Sequence, residues 1–130
     1  MEKSENYHDY VIKDGKFVGE FEQMYRDCED PWTQSTQPNK YSRMACFLHI
    51  KQFKIKSVLE CGSGLGYYSD WLRKETGVIP KGLDVSETSV KRAKELFPDL
   101  DFEQADISKD LHKYTHHEAV LFSEIMWYIL

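Results

Sequence analysis

The sequence predicts an α/β fold in which helices flank a parallel sheet, and three observations indicate it. From residue 57 onward, short apolar segments alternate with segments of helix-forming composition. A turn with glycine at three alternate positions joins the first such strand to the first helix. Acidic residues stand at the ends of successive strands. Such alternation builds a parallel sheet with right-handed crossovers, which binds ligands at the carboxyl ends of its strands.

The core elements follow one another in a regular order. The predicted strands are Ser57–Glu60, Ile79–Val85, Asp101–Ala105 and Ala119–Phe122. The predicted helices are Tyr67–Thr76, closed by Gly77, and a helix from the N-cap Ser86 through Leu96, which Pro98 ends. A further helix or turn begins at Glu124. This order predicts a single Rossmann-like layer of strands.

Two further helices are predicted before this core. The segment Glu20–Cys28 has helix-forming composition, and a second helix is predicted from about Lys40 to Phe53. The first dozen residues are polar with scattered tyrosines and predict a loose arm. We therefore divide the single domain into an N-terminal arm with lid helices, residues 1–56, and a core, residues 57–130.

Composition limits the class of protein. A chain of 130 residues that is 41% hydrophobic and 30% charged is expected to form one globular domain. It has no apolar run near the ~18 residues of a membrane span and no signal-peptide pattern, so we expect a cytoplasmic protein that does not bind membranes. The net charge of −5 argues against nucleic acid and favours a small-molecule or protein substrate.

Metal binding is not indicated. The three cysteines are widely spaced, which fits neither a disulfide framework nor a zinc site. The adjacent His116 and His117 would point to opposite sides of a strand, and no other Cys/His cluster accompanies them.

The turn after the first strand indicates the charge of the ligand. Glycines at 62, 64 and 66 supply positive φ and let the backbone approach a ligand, but the dinucleotide pattern G-x-G-x-x-G would need glycine at Tyr67. Glu60 opens the turn, and its carboxylate would repel a diphosphate while favouring a positively charged ligand. S-adenosylmethionine carries a sulfonium and an ammonium and no phosphate. The turn therefore predicts a site for S-adenosylmethionine.

Residues at two further strand ends extend this site. Asp84 stands where a carboxylate accepts ribose hydroxyls, although it also fits a helix-entry carboxylate near a dipole. Val85 and Ser86 are placed to line an adenine face, and Ser86 is also a good N-cap. Asp106 can accept a hydrogen bond from the adenine amine while Ile107 covers the ring; the alternative is that Asp106 caps a turn.

In this order, the motifs resemble those of class I S-adenosylmethionine-dependent methyltransferases. The matching segments are Glu60–Gly66, Leu83–Ser86, Ala105–Ile107 and Val120–Glu124. Within the class, Asp30–Trp32 and Ser123–Tyr128 resemble the nodulation N-methyltransferase (NodS-like) branch. The resemblance implies strand order 3-2-1-4. It also implies methyl transfer from S-adenosylmethionine to a small-molecule acceptor, with S-adenosylhomocysteine as product.

The resemblance also implies roles for individual residues. The methionine moiety would be held by Glu60 and by the turn glycines Gly62, Gly64 and Gly66. Asp84 would bind the ribose, and Asp106 with Ile107 would bind the adenine. Ser123 would lie on the sulfonium side.

Residues of the N-terminal helices would close over the cofactor. The candidates are Trp32, Tyr41 and Arg43, with Arg43 pairing with the methionine carboxylate. The alternatives are that Trp32 is a hydrophobic lid anchor and that Arg43 lies on a solvated helix face. The catalytic residue is unknown, because methyl transfer depends mainly on alignment. Glu124 is the candidate base for an acceptor that must lose a proton.

The class normally continues with three more strands, so we expect a chain truncated after its fourth strand. Ala119–Phe122 would then be an exposed apolar edge, and we expect a homodimer or another partner to cover it. Two other functions stay open. One is a module that binds S-adenosylmethionine without transferring the methyl group. The other is an NAD-dependent Rossmann oxidoreductase, which Tyr67 and Glu60 disfavour.

Overall fold

The computed structural model describes residues 6–37 and 41–129. The first five residues of the predicted arm and the predicted helix start at Lys40 lie outside these ranges. The N-terminal elements are α1 (His8–Val11), β1 (Ile12–Lys13), β2 (Lys16–Phe17), α2 (Phe21–Asp27) and α3 (Tyr41–Phe53). The core elements are β3 (Val58–Cys61), α4 (Tyr67–Thr76), β4 (Lys81–Asp84), α5 (Glu87–Leu96), β5 (Asp101–Gln104), α6 (Ile107–Asp110), β6 (Ala119–Phe122) and α7 (Met126–Ile129).

The core strands form one parallel sheet in the order β5-β4-β3-β6, which confirms the predicted order 3-2-1-4. In the central strand β3, every residue is buried, as expected for a parallel strand covered on both faces. Leu59 and Cys61 pack with Leu83 and with the segment that contains α6, while Val58 packs with Ile50 and with residues of α4. Helices therefore flank the sheet, and its carboxyl ends lie together at one edge.

The prediction of a loose arm for the first dozen residues is wrong for residues 6–12. Tyr10 and Val11 are buried and only 7% and 2% exposed. The Asp14–Gly15 turn has positive φ at both residues, 50° and 73°, which is the conformation that closes a two-residue hairpin between β1 and β2. Burial of Tyr10 against Met24 stabilises the ordered conformation.

No helix in the described ranges is both long enough and apolar enough to cross a bilayer.

Candidate functional site

A cavity of about 940 Å³ opens at the carboxyl ends of the core strands. Its walls include the residues that follow each strand: Gly62 after β3, Asp84–Val85 at β4, Ala105–Ser108 after β5 and Ser123–Ile125 after β6. Parallel sheets bind ligands at this edge, and the volume lies in the range of about 300–1,000 Å³ typical of small-molecule sites.

The structure brings most of the predicted residues to this cavity. The predicted residues that line it are Trp32, Arg43, Gly62, Asp84, Val85, Asp106, Ile107, Ser123 and Glu124. The predicted residues that do not line it are Tyr41, Glu60, Gly64, Gly66 and Ser86.

Every backbone N–H of the turn Gly62–Gly66 has an acceptor inside the protein. Taken in chain order, the acceptors are Leu83 O for the first two donors (2.8 and 2.9 Å), Asp84 Oδ2 (2.9 Å), Gln34 Oε1 (2.8 Å) and Ser63 O (3.0 Å). A phosphate binds such a turn through its free N–H groups. Within this described turn no N–H is left for one, so residues 62–66 offer a diphosphate no donor in this conformation.

Protein side chains, not space for a ligand, explain the glycines at 64 and 66. A Cβ added to Gly64 would lie 2.6 Å from Gln34 Oε1 and 2.8 Å from the Tyr25 hydroxyl. A Cβ added to Gly66 would lie 2.4 Å from Cζ of Phe102. Both glycines have positive φ, 54° and 86°. Neighbouring side chains thus explain why both positions are glycine; neither residue lines the cavity, and their contact with the ligand stays a prediction.

Asp84 is held rigidly at the edge of the cavity. Its Oδ2 accepts from Gly64 N at 2.9 Å and its Oδ1 accepts from Ser86 N at 3.0 Å. Burial raises the pKa of Asp84, although the hydrogen bonds from Ser86, Gly64 and other groups oppose the shift. Each carboxylate oxygen can accept more than one hydrogen bond, so Asp84 can still accept from a ligand hydroxyl.

Glu60 lies beneath the cavity instead of facing it. It is 1% exposed and accepts hydrogen bonds from the hydroxyls of Ser69 and Ser123, the latter at 2.8 Å. Burial raises the pKa of Glu60 against the lowering effect of these two hydrogen bonds and of Arg43. The expected direct contact between Glu60 and the ligand is corrected, because the Glu60 carboxylate bonds to Ser69 and Ser123 inside the protein. Of these three residues, Ser123 is the one that lines the cavity.

The turn after β6 presents Ser123 and Glu124 to the cavity. Ser123 N donates to Cys61 O at 2.9 Å, which keeps the turn in register with β3. Glu124 has φ 59°, and Ser42 Oγ donates to its Oε1 at 3.2 Å. A left-handed conformation costs a residue with a side chain about 1–2 kcal/mol, and such strain is characteristic of functional sites.

Asp106 acts as a helix cap beside the cavity. Its Oδ1 accepts from Ser108 N at 3.1 Å and from Ser108 Oγ at 2.6 Å. The hydrogen bond from the Ser108 side chain lowers the pKa of Asp106, and Lys109 adds to the effect. The capping alternative is thus confirmed, while Ile107 lines the cavity next to it and the adenine contact stays a prediction.

Ser86 is an N-cap, as its alternative role predicted, and it faces the protein instead of the cavity. It is fully buried; its Oγ accepts from Ser89 N at 3.1 Å and donates to Glu22 Oε2 at 2.6 Å. Glu22 also accepts from Thr88 N at 3.1 Å and Thr88 Oγ1 at 2.6 Å. Burial opposes ionisation of Glu22, but hydrogen bonds from Ser86, Thr88 and Arg26 outweigh it and lower the pKa to about 2. This carboxylate anchors α2 to the start of α5.

The three lid candidates have different environments. Trp32 lines the cavity and its ring centroid lies 4.4 Å from that of Tyr7. Arg43 is 5% exposed with its guanidinium 5.1 Å from the centre of the Tyr68 ring, so the alternative of a solvated helix face is wrong. Tyr41 is 91% exposed and its expected place over the cofactor is corrected, since the first residue of α3 lies away from the cavity wall.

The sequence interpretation missed an aromatic wall on the N-terminal side of the cavity. Tyr128 stacks on Phe17 with centroids 5.8 Å apart and meets the edge of Phe21 at 5.2 Å. Tyr7 and Trp32 continue this wall. The Asp14–Gly15 pair was the available signal, because Asp-Gly is typical of a two-residue hairpin turn and this hairpin carries Phe17 here.

Charge around the cavity is mostly negative. Its lining carboxylates are Asp84, Asp106 and Glu124, whereas its basic side chains are Arg43 and His8. These carboxylate acceptors therefore fit a ligand with positive charge and hydroxyl groups better than a diphosphate.

No family model matches the chain, and no curated protein is similar to it at a significant level. Solved structures do share its fold. The methyltransferase domain of bacterial CtHen1-CN has a TM-score of 0.58 and 20% identity, with 66% of this chain and 50% of that one covered. Streptomyces venezuelae DesVI has a TM-score of 0.55 and 22% identity, with 73% and 42% covered.

A third structure is magnesium protoporphyrin IX methyltransferase (ChlM) from Synechocystis with bound SAH. It has a TM-score of 0.53 and 15% identity, with 68% of this chain and 43% of that chain covered. The chain thus spans half or less of the length of these three neighbours. At these identities the likeness shows the fold, which is the Rossmann-like fold of methyltransferases.

Proposed function

We propose that the chain is an S-adenosylmethionine-dependent methyltransferase, or the cofactor-binding part of one, that acts on a small molecule. The observation that carries the proposal is the closed turn Gly62–Gly66 beside Asp84. This turn has the position of a nucleotide-binding turn, yet its N–H groups are used internally. A nucleoside ligand without phosphate fits that arrangement, and the methyltransferase fold of the solved neighbours supports the same ligand.

Five of the lining residues contact the cofactor in this proposal. Asp84 accepts the ribose hydroxyls, and Val85 and Ile107 contact the adenine ring with Asp106 at its amine. Arg43 pairs with the methionine carboxylate. When bound, S-adenosylmethionine supplies a methyl group activated by a sulfonium. Because alignment can contribute about 7–11 kcal/mol to such a displacement, the protein mainly has to position the acceptor.

The strand-end turn after β6 is the proposed place of transfer. Glu60 fixes the side chain of Ser123, because Ser123 Oγ donates to its Oε1 at 2.8 Å. Glu124 is the proposed base where the acceptor must lose a proton. The resemblance of Asp30–Trp32 to nodulation N-methyltransferases makes small amines the first acceptors to assay.

Calorimetric titration with S-adenosylhomocysteine tests the proposal. We expect wild-type protein to bind it and Asp84→Asn to lose about 100-fold in affinity, since hydrogen bonds to a charged acceptor contribute about 1.5–3 kcal/mol each. Asp99→Asn is the matched control, because the Asp99 side chain is 86% exposed. Unchanged affinity in Asp84→Asn would remove the ribose assignment.

A module that binds the cofactor without transferring the methyl group is the second candidate. The described cavity holds predicted contacts for the cofactor, whereas no residue of an acceptor site is assigned beyond Glu124. Transfer of radiolabelled methyl to candidate amines separates the two, because both bind S-adenosylhomocysteine. An NAD-dependent oxidoreductase is disfavoured by the closed turn, and NADH fluorescence titration checks this directly.

We also propose that a second copy of the chain pairs along β6. Among the described strands β6 is bonded to β3 alone, and Val120 at this edge is 45% exposed. An exposed apolar edge favours pairing with another strand. Light scattering after size exclusion should report a dimer for wild type and a monomer for Val120→Lys. A wild-type monomer at tens of micromolar would contradict the proposal.

A further inference from the structure

Gln34 is a buried amide that the segment before α3 inserts beside the glycine turn. Its side chain is 6% exposed and lines the cavity. Asp30 fixes the backbone that carries it, because Asp30 Oδ1 accepts from Gln34 N at 2.8 Å and Oδ2 accepts from Ser35 N at 2.9 Å. The position of Gln34 is therefore built by its own loop and does not depend on a ligand.

The side-chain amide of Gln34 accepts a hydrogen bond from one backbone N–H of the turn. Its Oε1 accepts from Leu65 N at 2.8 Å, immediately before the N-cap Gly66 of the ten-residue helix α4. Both terminal atoms of Gln34 lie within 2.8 Å of the position that a Cβ on Gly64 would occupy. Gln34 thus fills the space directly over the turn.

We infer that Gln34 is a specificity residue that excludes phosphorylated nucleosides from this cavity. In dinucleotide-binding sheets, the N–H groups at this turn and the start of its helix bind phosphate. Here a neutral amide oxygen occupies the donor at Leu65, and Asp84 occupies the donor at Gly64. The inference rests on the proposed function, and it deepens that function by naming a residue that selects a nucleoside without phosphate on its 5′ side.

Removal of the side chain should reverse this selection in part. Gln34→Ala opens space that is continuous with the cavity and exposes Leu65 N to a ligand. Gln34→Glu keeps an acceptor of similar length for Leu65 N and adds a negative charge. These two variants therefore have opposite expected effects on a phosphate, although both alter the same position.

The test compares ADP with adenosine by calorimetry in magnesium-free buffer. We expect the ratio Kd(ADP)/Kd(adenosine) to fall at least tenfold in Gln34→Ala and to stay at or above the wild-type ratio in Gln34→Glu. Gln37→Ala, an exposed position in the same loop, should leave the ratio unchanged. Circular dichroism and thermal unfolding confirm that each variant is folded, and Gln34→Asn, which is too short to reach Leu65 N, replaces the alanine variant if that one does not fold.

A ratio within twofold of wild type in the folded alanine or asparagine variant would overturn the inference, as would an equal fall in Gln34→Glu. Failure of the proposed function gives a different result from failure of this inference. If wild type binds neither adenosine nor S-adenosylhomocysteine, the proposed function fails. The effect of Gln34 is then measured with ADP alone: tighter binding to Gln34→Ala than to wild type supports the inference, and equal binding overturns it.

Discussion

Gly66→Ala should destabilise the fold more than Gly77→Ala, because the two glycines share a backbone conformation but differ in their surroundings. They cap the two ends of α4 with φ of 86° and 76°. A Cβ at Gly66 would lie 2.4 Å from Phe102 Cζ, whereas a Cβ at Gly77 would have no atom within 4 Å. Comparison of the two alanine variants therefore separates the cost of backbone strain from the cost of close packing between α4 and the sheet.

The expected magnitudes follow from these two contributions. A left-handed conformation costs alanine about 1–2 kcal/mol at either site. Phe102 is 3% exposed in a packed cluster with Val90, Ala93 and Leu100, so its ring must displace neighbours, and such overpacking costs about 1–3 kcal/mol more. We therefore expect a loss of about 1–2 kcal/mol in Gly77→Ala and about 2–5 kcal/mol in Gly66→Ala.

Urea unfolding followed by circular dichroism measures both losses, and an unchanged m-value supports a two-state comparison. Phe102→Leu in the Gly66→Ala background should recover part of the loss, so that the double-mutant cycle is non-additive. Equal losses at the two glycines, or an additive cycle, would refute the argument that Phe102 requires glycine at position 66.

Two further predictions concern buried or anchored carboxylates. Glu22→Ala should lose about 1–3 kcal/mol at pH 7, a modest value because the side chain is 36% exposed. Hydrogen bonding lowers the pKa of Glu22 to about 2. The contribution of Glu22 to the free energy of unfolding is therefore fully present above an ordinary pKa of about 4.3 and is lost as the pH falls towards 2. The urea midpoints of variant and wild type should converge at that pH. Burial raises the pKa of Glu60, so ionisation of Glu60 lowers the free energy of unfolding as the pH rises above about 4.3. Glu60→Gln should therefore become more stable relative to wild type with rising pH. A stability difference between variant and wild type that falls with rising pH would contradict this.

The parallel core strands and their shared ligand edge were predictable from sequence because both follow from local patterns, whereas the strand order was predicted from the family resemblance. The β3 segment Val58–Cys61 is apolar apart from one carboxylate, and the glycine turn after it marks a strand-to-helix junction. Asp84 and Asp106 were placed at the cavity for the same reason, since strand ends meet at one edge of a parallel sheet.

The partners of the turn were not predictable, because they come from residues distant in sequence. Gln34 reaches Leu65 across 31 positions, and Glu22 reaches Ser86 across 64. Neither contact leaves a periodic signal in the chain. Glu60 was misplaced for a related reason: a carboxylate at a strand end points either to the ligand edge or to a covering helix, and Ser69 on α4 decides the outcome.

A crystal structure of the protein with S-adenosylhomocysteine tests the central claim most directly. The account predicts both ribose hydroxyls within hydrogen-bond distance of Asp84, the sulfur directed towards Ser123, and Gln34 still bonded to Leu65 N. A ligand bound elsewhere, or a soaked diphosphate seated on the turn in place of the Gln34 amide, would contradict it.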